Sequence, residues 1–149
     1  MRLKLLSSIL ALIIAGFSNI ACAQSVQQVD TISVPARAIK SPMKCSVIVP
    51  EKYLEQGDTD RYPVVYLIHG YGGDYSSWLK LTEPQLDSLA SVYNMIFVCP
   101  DGRDSWYWDS PVVPELQMET FITTELVPYI DANYRTKATR QQRAITGFS

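Results

Sequence analysis

Histidine is nearly missing from this chain, with His69 the single one in 149 residues. A histidine-based metal cluster is therefore excluded, and only one candidate is left for a histidine general base. Cysteine is scarce as well. Cys22, Cys45 and Cys99 are the only three, and none has metal-ligand spacing. No metal or organic cofactor is expected. Charge of either sign is modest, with a formal net charge of −2, so the sequence makes no case for a nucleic acid or an anionic membrane surface as partner. The longest apolar run, residues 5–17, is too short to span a bilayer. There is no internal repeat, no low-complexity tract and no second domain.

What is present suffices for one domain. The length lies within the ~100–200 residues typical of a domain, and 47% hydrophobic content is enough for a packed core and argues against disorder. Residues 1–23 read as a separate segment. Arg2 and Lys4 precede the apolar run, and Ala21-Cys22-Ala23 offers a cleavage site, which together describe a secretory signal peptide. Cleavage after Ala23 removes two positive charges and no negative ones, taking the net charge from −2 to −4. The expected location is secreted or periplasmic, with no stable membrane insertion. A lipoprotein anchored through Cys22 is the weaker alternative, because Asn19 and not leucine stands three residues earlier. Export makes a Cys45–Cys99 disulfide possible, but both cysteines lie inside apolar runs and read as buried free thiols.

The domain, residues 24–149, opens with a polar lead-in. Residues 31–34 and 43–49 show β-branched, alternating character punctuated by Pro35, Pro42 and Pro50, as expected of early antiparallel strands with edge exposure. Residues 51–61 read as a surface loop. Pro63-Val64-Val65-Tyr66-Leu67-Ile68 is continuously apolar, the signature of a strand buried on both faces. His69-Gly70-Tyr71-Gly72-Gly73 follows. Residues 84–93 place Leu86, Leu89, Ala90 and Tyr93 at helical spacing. Residues 95–99 form a second continuous strand, closed by Pro100-Asp101-Gly102, and Trp106, Tyr107 and Trp108 crowd the next loop. A helix over about 115–133 carries a stripe of Met118, Phe121, Ile122, Leu126, Ile130 and Tyr134, with Pro128 expected to kink it. Residues 135–143 read as a solvated basic loop. Ala144-Ile145-Thr146 then leads into Gly147-Phe148-Ser149. This order predicts a βαβαβ unit, with right-handed crossovers and a mostly parallel sheet between two helical layers. Ligands bind such sheets at the carboxyl ends of strands, so the glycine loop, Pro100-Asp101-Gly102 and Ser149 should meet on one edge.

Gly-x-Ser directly after a strand is the front half of a nucleophile elbow, Gly-x-Ser-x-Gly, in which a tight turn pushes the serine hydroxyl into a cleft. Ester cleavage needs such a hydroxyl, a base to take its proton, and donors for the developing oxyanion. Ser149 supplies the hydroxyl. The loop 70–73 can bring a backbone N–H close to a substrate carbonyl, and such a donor contributes roughly 3–4 kcal/mol to transition-state stabilisation. His69, at the end of a buried strand, reads as a buttress of that loop rather than as the base. In chain order the acid and histidine partners follow the serine, which places both after residue 149.

Taken together, His69-Gly70-Tyr71-Gly72-Gly73, Trp78, Pro100-Asp101-Gly102, Glu125-Leu126-Val127-Pro128-Tyr129-Ile130 and Ala144-Ile145-Thr146-Gly147-Phe148-Ser149 resemble the esterase family of α/β-hydrolases. That family includes feruloyl and acetylxylan esterases, esterase D (S-formylglutathione hydrolase) and mycolyl transferases. The resemblance covers residues 43–149 and implies a three-layer α/β-hydrolase fold truncated at the nucleophile elbow. It matches Ser149 to the nucleophile and Tyr71 to the residue whose backbone N–H enters the oxyanion hole. Gly70, Gly72 and Gly73 are then substrate-loop residues, and Trp106, Tyr107 and Trp108 are candidate pocket walls or loop anchors, with Trp106 and Trp108 the candidates for substrate contact. The expected substrate is a small-molecule or polysaccharide-linked ester, with feruloyl or acetyl esters of plant polysaccharide favoured by export, and the fragment alone is expected to be inactive. An S-formylglutathione hydrolase-like thioesterase or an acyltransferase would share these motifs. A non-catalytic secreted module binding carbohydrate through Trp78, Trp106 and Trp108, or a gene remnant, are the readings from outside enzymology.

Overall fold

The computed structural model describes residues 27–149; the leader, its cleavage site and Cys22 lie outside the described residues. Five strands form one sheet in the order β1-β2-β4-β3-β5. β1 (Val29–Val34) and β2 (Met43–Ile48) are an antiparallel pair, and β2 runs antiparallel to β4 (Ile96–Pro100). β3 (Val64–Ile68) is parallel both to β4 and to β5 (Arg143–Gly147). The parallel βαβαβ unit is therefore present, with a β1–β2 hairpin added beside β4. Of the two early strands only β1 is an edge. β2 is paired on both sides, and all of it except Lys44 is buried.

The continuous apolar strands do face two ways. Val64, Tyr66, Ile96 and Val98 point into one core with Met118, Phe121, Ile122, Leu126 and Ile130, while Leu67, Phe97 and Cys99 point into another with Leu86 and Ala90. Two apolar faces on one strand need a helix on each side, which makes the three layers. Helix α1 (Leu86–Tyr93) covers the second face. Its stripe is narrower than the periodicity predicts, because Tyr93 is exposed. Asn94 ends the helix in a left-handed conformation (φ 53°), where its N–H reaches the carbonyls of Ala90 and Ser91, a common role for asparagine.

The first face is covered by α2 (Met118–Thr120), a π-helical stretch Phe121–Leu126 and α3 (Val127–Asn133) in succession. All six residues of the predicted stripe are buried. Pro128 lies in the first turn of α3, directly after the π-helical stretch. The wider π turn takes up the break in the helical ladder that proline's missing N–H creates. Asp109 reaches in from the preceding loop to accept the Thr120 N–H (2.9 Å) and hydroxyl (2.6 Å).

Residues 135–143 are less free than a solvated loop. Arg135 donates to the Tyr53 carbonyl (2.6 Å) and to Asp58 (2.9 Å), and its guanidinium stacks 3.8 Å from the centre of the Tyr53 ring. Thr136 is fully buried, and Arg143 pairs with Asp131. Nor do residues 51–61 form a simple loop, since Glu51–Leu54 is a 3₁₀ turn with Tyr53 in the core. Cys45 and Cys99 are free thiols on opposite faces of the sheet. Opposed faces preclude a disulfide between them, and burial pushes each thiol up to about 12. Among the described residues no helix is long and apolar enough to cross a membrane, and no cluster of His, Cys, Asp and Glu could hold a metal ion.

Candidate active site

Three parallel strands end on the same edge, and their trailing residues meet there. Gly70, after β3, lies against the end of β5: a Cβ built on it would be 3.1 Å from Ser149 Cβ and 3.2 Å from the Phe148 ring. His69 links β3 to β4. Its Nε2 accepts the Gly102 N–H at 2.8 Å, and its Nδ1 is 2.7 Å from the Gly70 carbonyl. An amide N–H can only donate and a carbonyl can only accept, so Nδ1 carries the proton and Nε2 is bare. With both ring nitrogens engaged and the side chain buried, His69 cannot take a proton from Ser149. It is the buttress that its position in the sequence suggests.

Ser149 has φ 73°, in the left-handed region that costs a non-glycine residue roughly 1–2 kcal/mol. Strain of this kind at a serine just past a parallel strand is the backbone signature of a nucleophile elbow. Gly147 lets the turn form, because a Cβ there would overlap the side chain and carbonyl of Ile68.

The glycine loop is held as tightly. The Gly73 N–H donates to the Gly70 carbonyl (3.0 Å), closing a turn around Tyr71 and Gly72. Gly72 sits at φ 74° with open space around it, whereas Gly73 is needed for close approach to His69 and Ser77. Asp74 accepts the Ser76 N–H and hydroxyl, both at 2.7 Å. The hydroxyl bond is the main reason its carboxyl lies below the usual range. Among the described residues no acceptor engages the Tyr71 N–H, and the Tyr71 side chain is 73% exposed. Beside the loop is a cavity of about 240 Å³ lined by Gly70, Tyr71, Gly72, Gly73, Ser77, Leu81, Thr82 and Phe148. Leu81 and Thr82 belong to the π-helical turn Trp78–Thr82, which the helical periodicity of the sequence does not mark.

The structure thus brings Gly70, Tyr71, Gly72 and Gly73 to one cavity and seats Ser149 against Gly70. It does not bring Trp106 or Trp108 into the cavity; they project from the loop after β4, 75% and 57% exposed. Trp78 is unsuited to a carbohydrate platform. Its indole N–H donates to the Ile68 carbonyl (3.1 Å), and its ring meets Phe148 edge-on with centroids 5.3 Å apart. Tyr107, read from the sequence with Trp106 and Trp108 as a pocket wall or a loop anchor, turns inward and is an anchor. Its hydroxyl accepts the His69 backbone N–H at 3.2 Å, and burial raises its pKa. The signal that could have found it is the alternation Trp106, Tyr107, Trp108, Asp109, in which every second side chain is anchored.

Residues 36–149 match the family described as "Putative esterase". The chain belongs to that family. An esterase of Mycobacterium tuberculosis is 36% identical over 107 residues, covering 70% of this chain and 23% of that protein. An endo-1,4-beta-xylanase/feruloyl esterase of Xylanibacter ruminicola is 31% identical over 113 residues, covering 70% of this chain and 16% of that protein. Among solved structures, a ferulic acid esterase superposes with a TM-score of 0.69 at 31% identity, covering 81% of this chain and 50% of that one. The fold is that of the α/β-hydrolases. The chain spans about a quarter or less of the length of these two sequence relatives and half of the solved esterase.

Proposed function

We propose that this chain carries the nucleophile and the oxyanion loop of an exported serine carboxylesterase acting on acyl esters, with feruloyl or acetyl esters of plant polysaccharide as the substrate class. The observation that carries the reading is the left-handed Ser149 seated against Gly70, the first residue of the loop that bears the Tyr71 N–H. In the reaction, Ser149 Oγ attacks the ester carbonyl carbon while its proton passes to a histidine of the whole protein other than His69. The carbonyl oxygen becomes an oxyanion and takes the Tyr71 N–H. Collapse of the tetrahedral intermediate breaks the ester C–O bond. The alcohol leaves with the proton, and an acyl-Ser149 intermediate remains. Water, deprotonated by the same histidine, then releases the acid and restores Ser149.

The substrate class draws support from the xylanase/feruloyl esterase relative, and export from the leader in the sequence. The exposure of Trp106 and Trp108 beyond the carboxyl end of β4 leaves both available to a bulky alcohol such as the sugar side of such an ester.

The test is the whole protein with methyl ferulate and p-nitrophenyl acetate, alongside a fluorophosphonate probe. Ser149→Ala should lower kcat by roughly 10³-fold or more and abolish the single probe adduct in the intact mass. Undiminished turnover in that variant, or an adduct on another residue, would remove Ser149 from the mechanism. N-terminal sequencing of the exported protein should begin at Gln24.

A further inference from the structure

The loop after β4 is fixed at two points with an exposed tryptophan beside each. Asp109 is anchored on Thr120. Tyr107 is anchored on the oxyanion loop, and three features show how firmly. Its backbone is left-handed (φ 57°), a conformation that an aromatic residue adopts only when its surroundings hold it there. Its ring stands edge-on to the His69 ring, centroids 5.5 Å apart and planes 71° apart. The ring also fills the space beside Gly102, so that a Cβ on Gly102 would overlap it. The Tyr107 hydroxyl then accepts the His69 backbone N–H, while the His69 side chain accepts the Gly102 N–H and donates to the Gly70 carbonyl. Tyr107 and Gly102 therefore grip His69 from the β4 side, and His69 sets the carbonyl that closes the turn around Tyr71.

We infer that Tyr107 is a positioning residue for the oxyanion hole, tying the loop that bears Trp106 and Trp108 to the loop that bears the Tyr71 N–H. Among the described residues no hydrogen bond or ring contact joins it to Ser149. It acts through His69, and it gives contacts made at Trp106 or Trp108 a direct mechanical route to the hole. The inference rests on the serine esterase reading above.

Tyr107→Phe in the whole protein is the test. Phenylalanine keeps the ring against His69 and Gly102 and removes only the acceptor for the His69 N–H. A fluorophosphonate titration counts competent active sites, so kcat is read per site whatever fraction folds. We expect kcat to fall about tenfold, below the 10²–10³ that follows loss of an oxyanion donor itself, with KM for p-nitrophenyl acetate unchanged within about twofold. Affinity for a trifluoromethyl ketone, whose hemiketal oxyanion occupies the hole, should fall in parallel, while affinity for the product acid should not. A merely structural tyrosine would lower the melting temperature and leave per-site kcat and ketone affinity alone, which would overturn the inference. If Tyr107→Phe yields no competent sites, 3,5-difluorotyrosine at position 107 keeps the ring and weakens the acceptor. A fall of a few-fold in per-site kcat is then expected, and an unchanged value overturns the inference. Ser149→Ala separates the two levels. If it stays active, the esterase reading fails. If it is inactive while Tyr107→Phe turns over normally, only the role of Tyr107 fails.

Discussion

Replacing Gly73 by alanine tests the oxyanion loop most directly, because the structure fixes what the added methyl would meet. A Cβ on Gly73 would lie 2.8 Å from His69 Nδ1, 3.0 Å from Ser77 Oγ and 3.1 Å from the Gly70 carbonyl oxygen. None of the three yields easily. The His69 ring is bonded through both nitrogens, Ser77 Oγ accepts the Asp74 N–H at 2.9 Å, and the Gly70 oxygen is backbone. Overpacking of this kind costs about 1–3 kcal/mol, reduced by about 0.4–1 kcal/mol because alanine restricts the unfolded chain. A net loss of about 1–2 kcal/mol is expected. Gly72→Ala is the matched control. Its methyl points into open space, and its left-handed strain of about 1–2 kcal/mol is offset by the same unfolded-state gain, leaving about 1 kcal/mol. The two variants should thus lose similar stability in urea unfolding of the whole protein. They should differ in turnover: Gly73→Ala displaces the carbonyl that closes the turn at Tyr71, and kcat on p-nitrophenyl acetate should fall roughly 10–100-fold. Gly72→Ala should stay within about threefold. Equal turnover in the two variants, or a larger loss in Gly72→Ala, would refute the view that His69 and Gly73 together set the oxyanion donor.

Three further outcomes are expected. His69→Gln should destabilise the protein by about 1–3 kcal/mol, since the buried Gly102 N–H loses its acceptor while the Gly70 carbonyl keeps only the Gly73 N–H. The acidic limb of the kcat/KM–pH profile, along which the general base loses its proton, should survive in the residual activity; its disappearance would restore His69 as the general base. Ser149→Gly should abolish turnover yet raise stability by up to about 1 kcal/mol, because glycine relieves the left-handed strain at a cost in unfolded-chain entropy; a loss of stability in urea unfolding would contradict the strain. Burial lifts the Cys45 and Cys99 thiols from 9.0 to about 12. Their contribution to stability is therefore complete below pH 9 and is lost as pH rises from 9 towards 12, by about 1.4 kcal/mol per pH unit for each thiol. A urea midpoint that is flat across pH 9–11 would refute this.

How far the sequence carried the fold depended on the kind of signal. Continuous apolar runs at residues 63–68 and 95–99 identified strands buried on both faces, because a strand inside a helix-covered sheet carries apolar side chains on successive residues. The register between strands leaves no such mark, and β2 looks like an edge strand in the sequence because the prolines at its ends are common there. The π-helical turns Trp78–Thr82 and Phe121–Leu126 were invisible for a related reason: they preserve apolar composition and alter only the hydrogen-bond ladder. At the site, Gly70, Gly72, Gly73 and Ser149 were legible because a backbone that must bend or approach closely demands glycine or a small neighbour. The role of Tyr107 was not, since its hydroxyl meets a backbone amide 38 residues away. The basic character of residues 135–143 misled for the opposite reason. Charge in a sequence suggests solvent, whereas Arg135 spends its charge on Asp58 and the Tyr53 carbonyl.

The assembly of the site follows from register more than from any single contact. β3 pairs with β5 so that Ile68 faces Gly147, and two residues further along each chain Gly70 meets Ser149. β3 pairs with β4 so that Tyr66 faces Val98, and continuing in step brings His69 and Gly70 beside Asp101 and Gly102, where the His69 Nε2 finds its amide. Slipping the β3–β4 pairing by one residue would turn the core side chains of one strand to the opposite face, whereas β5, with no buried side chain, keeps step through its backbone ladder with β3. Tyr66 or Val98 would leave the core they share with Phe121 and Leu126, and a slip of β5 would carry Ser149 away from the glycine loop. Burial fixes β3 against β4, and the β3–β5 ladder carries that register on to the strained serine. Mutations deep in the core that loosen the register, far from Ser149, should cost turnover before they cost secondary structure.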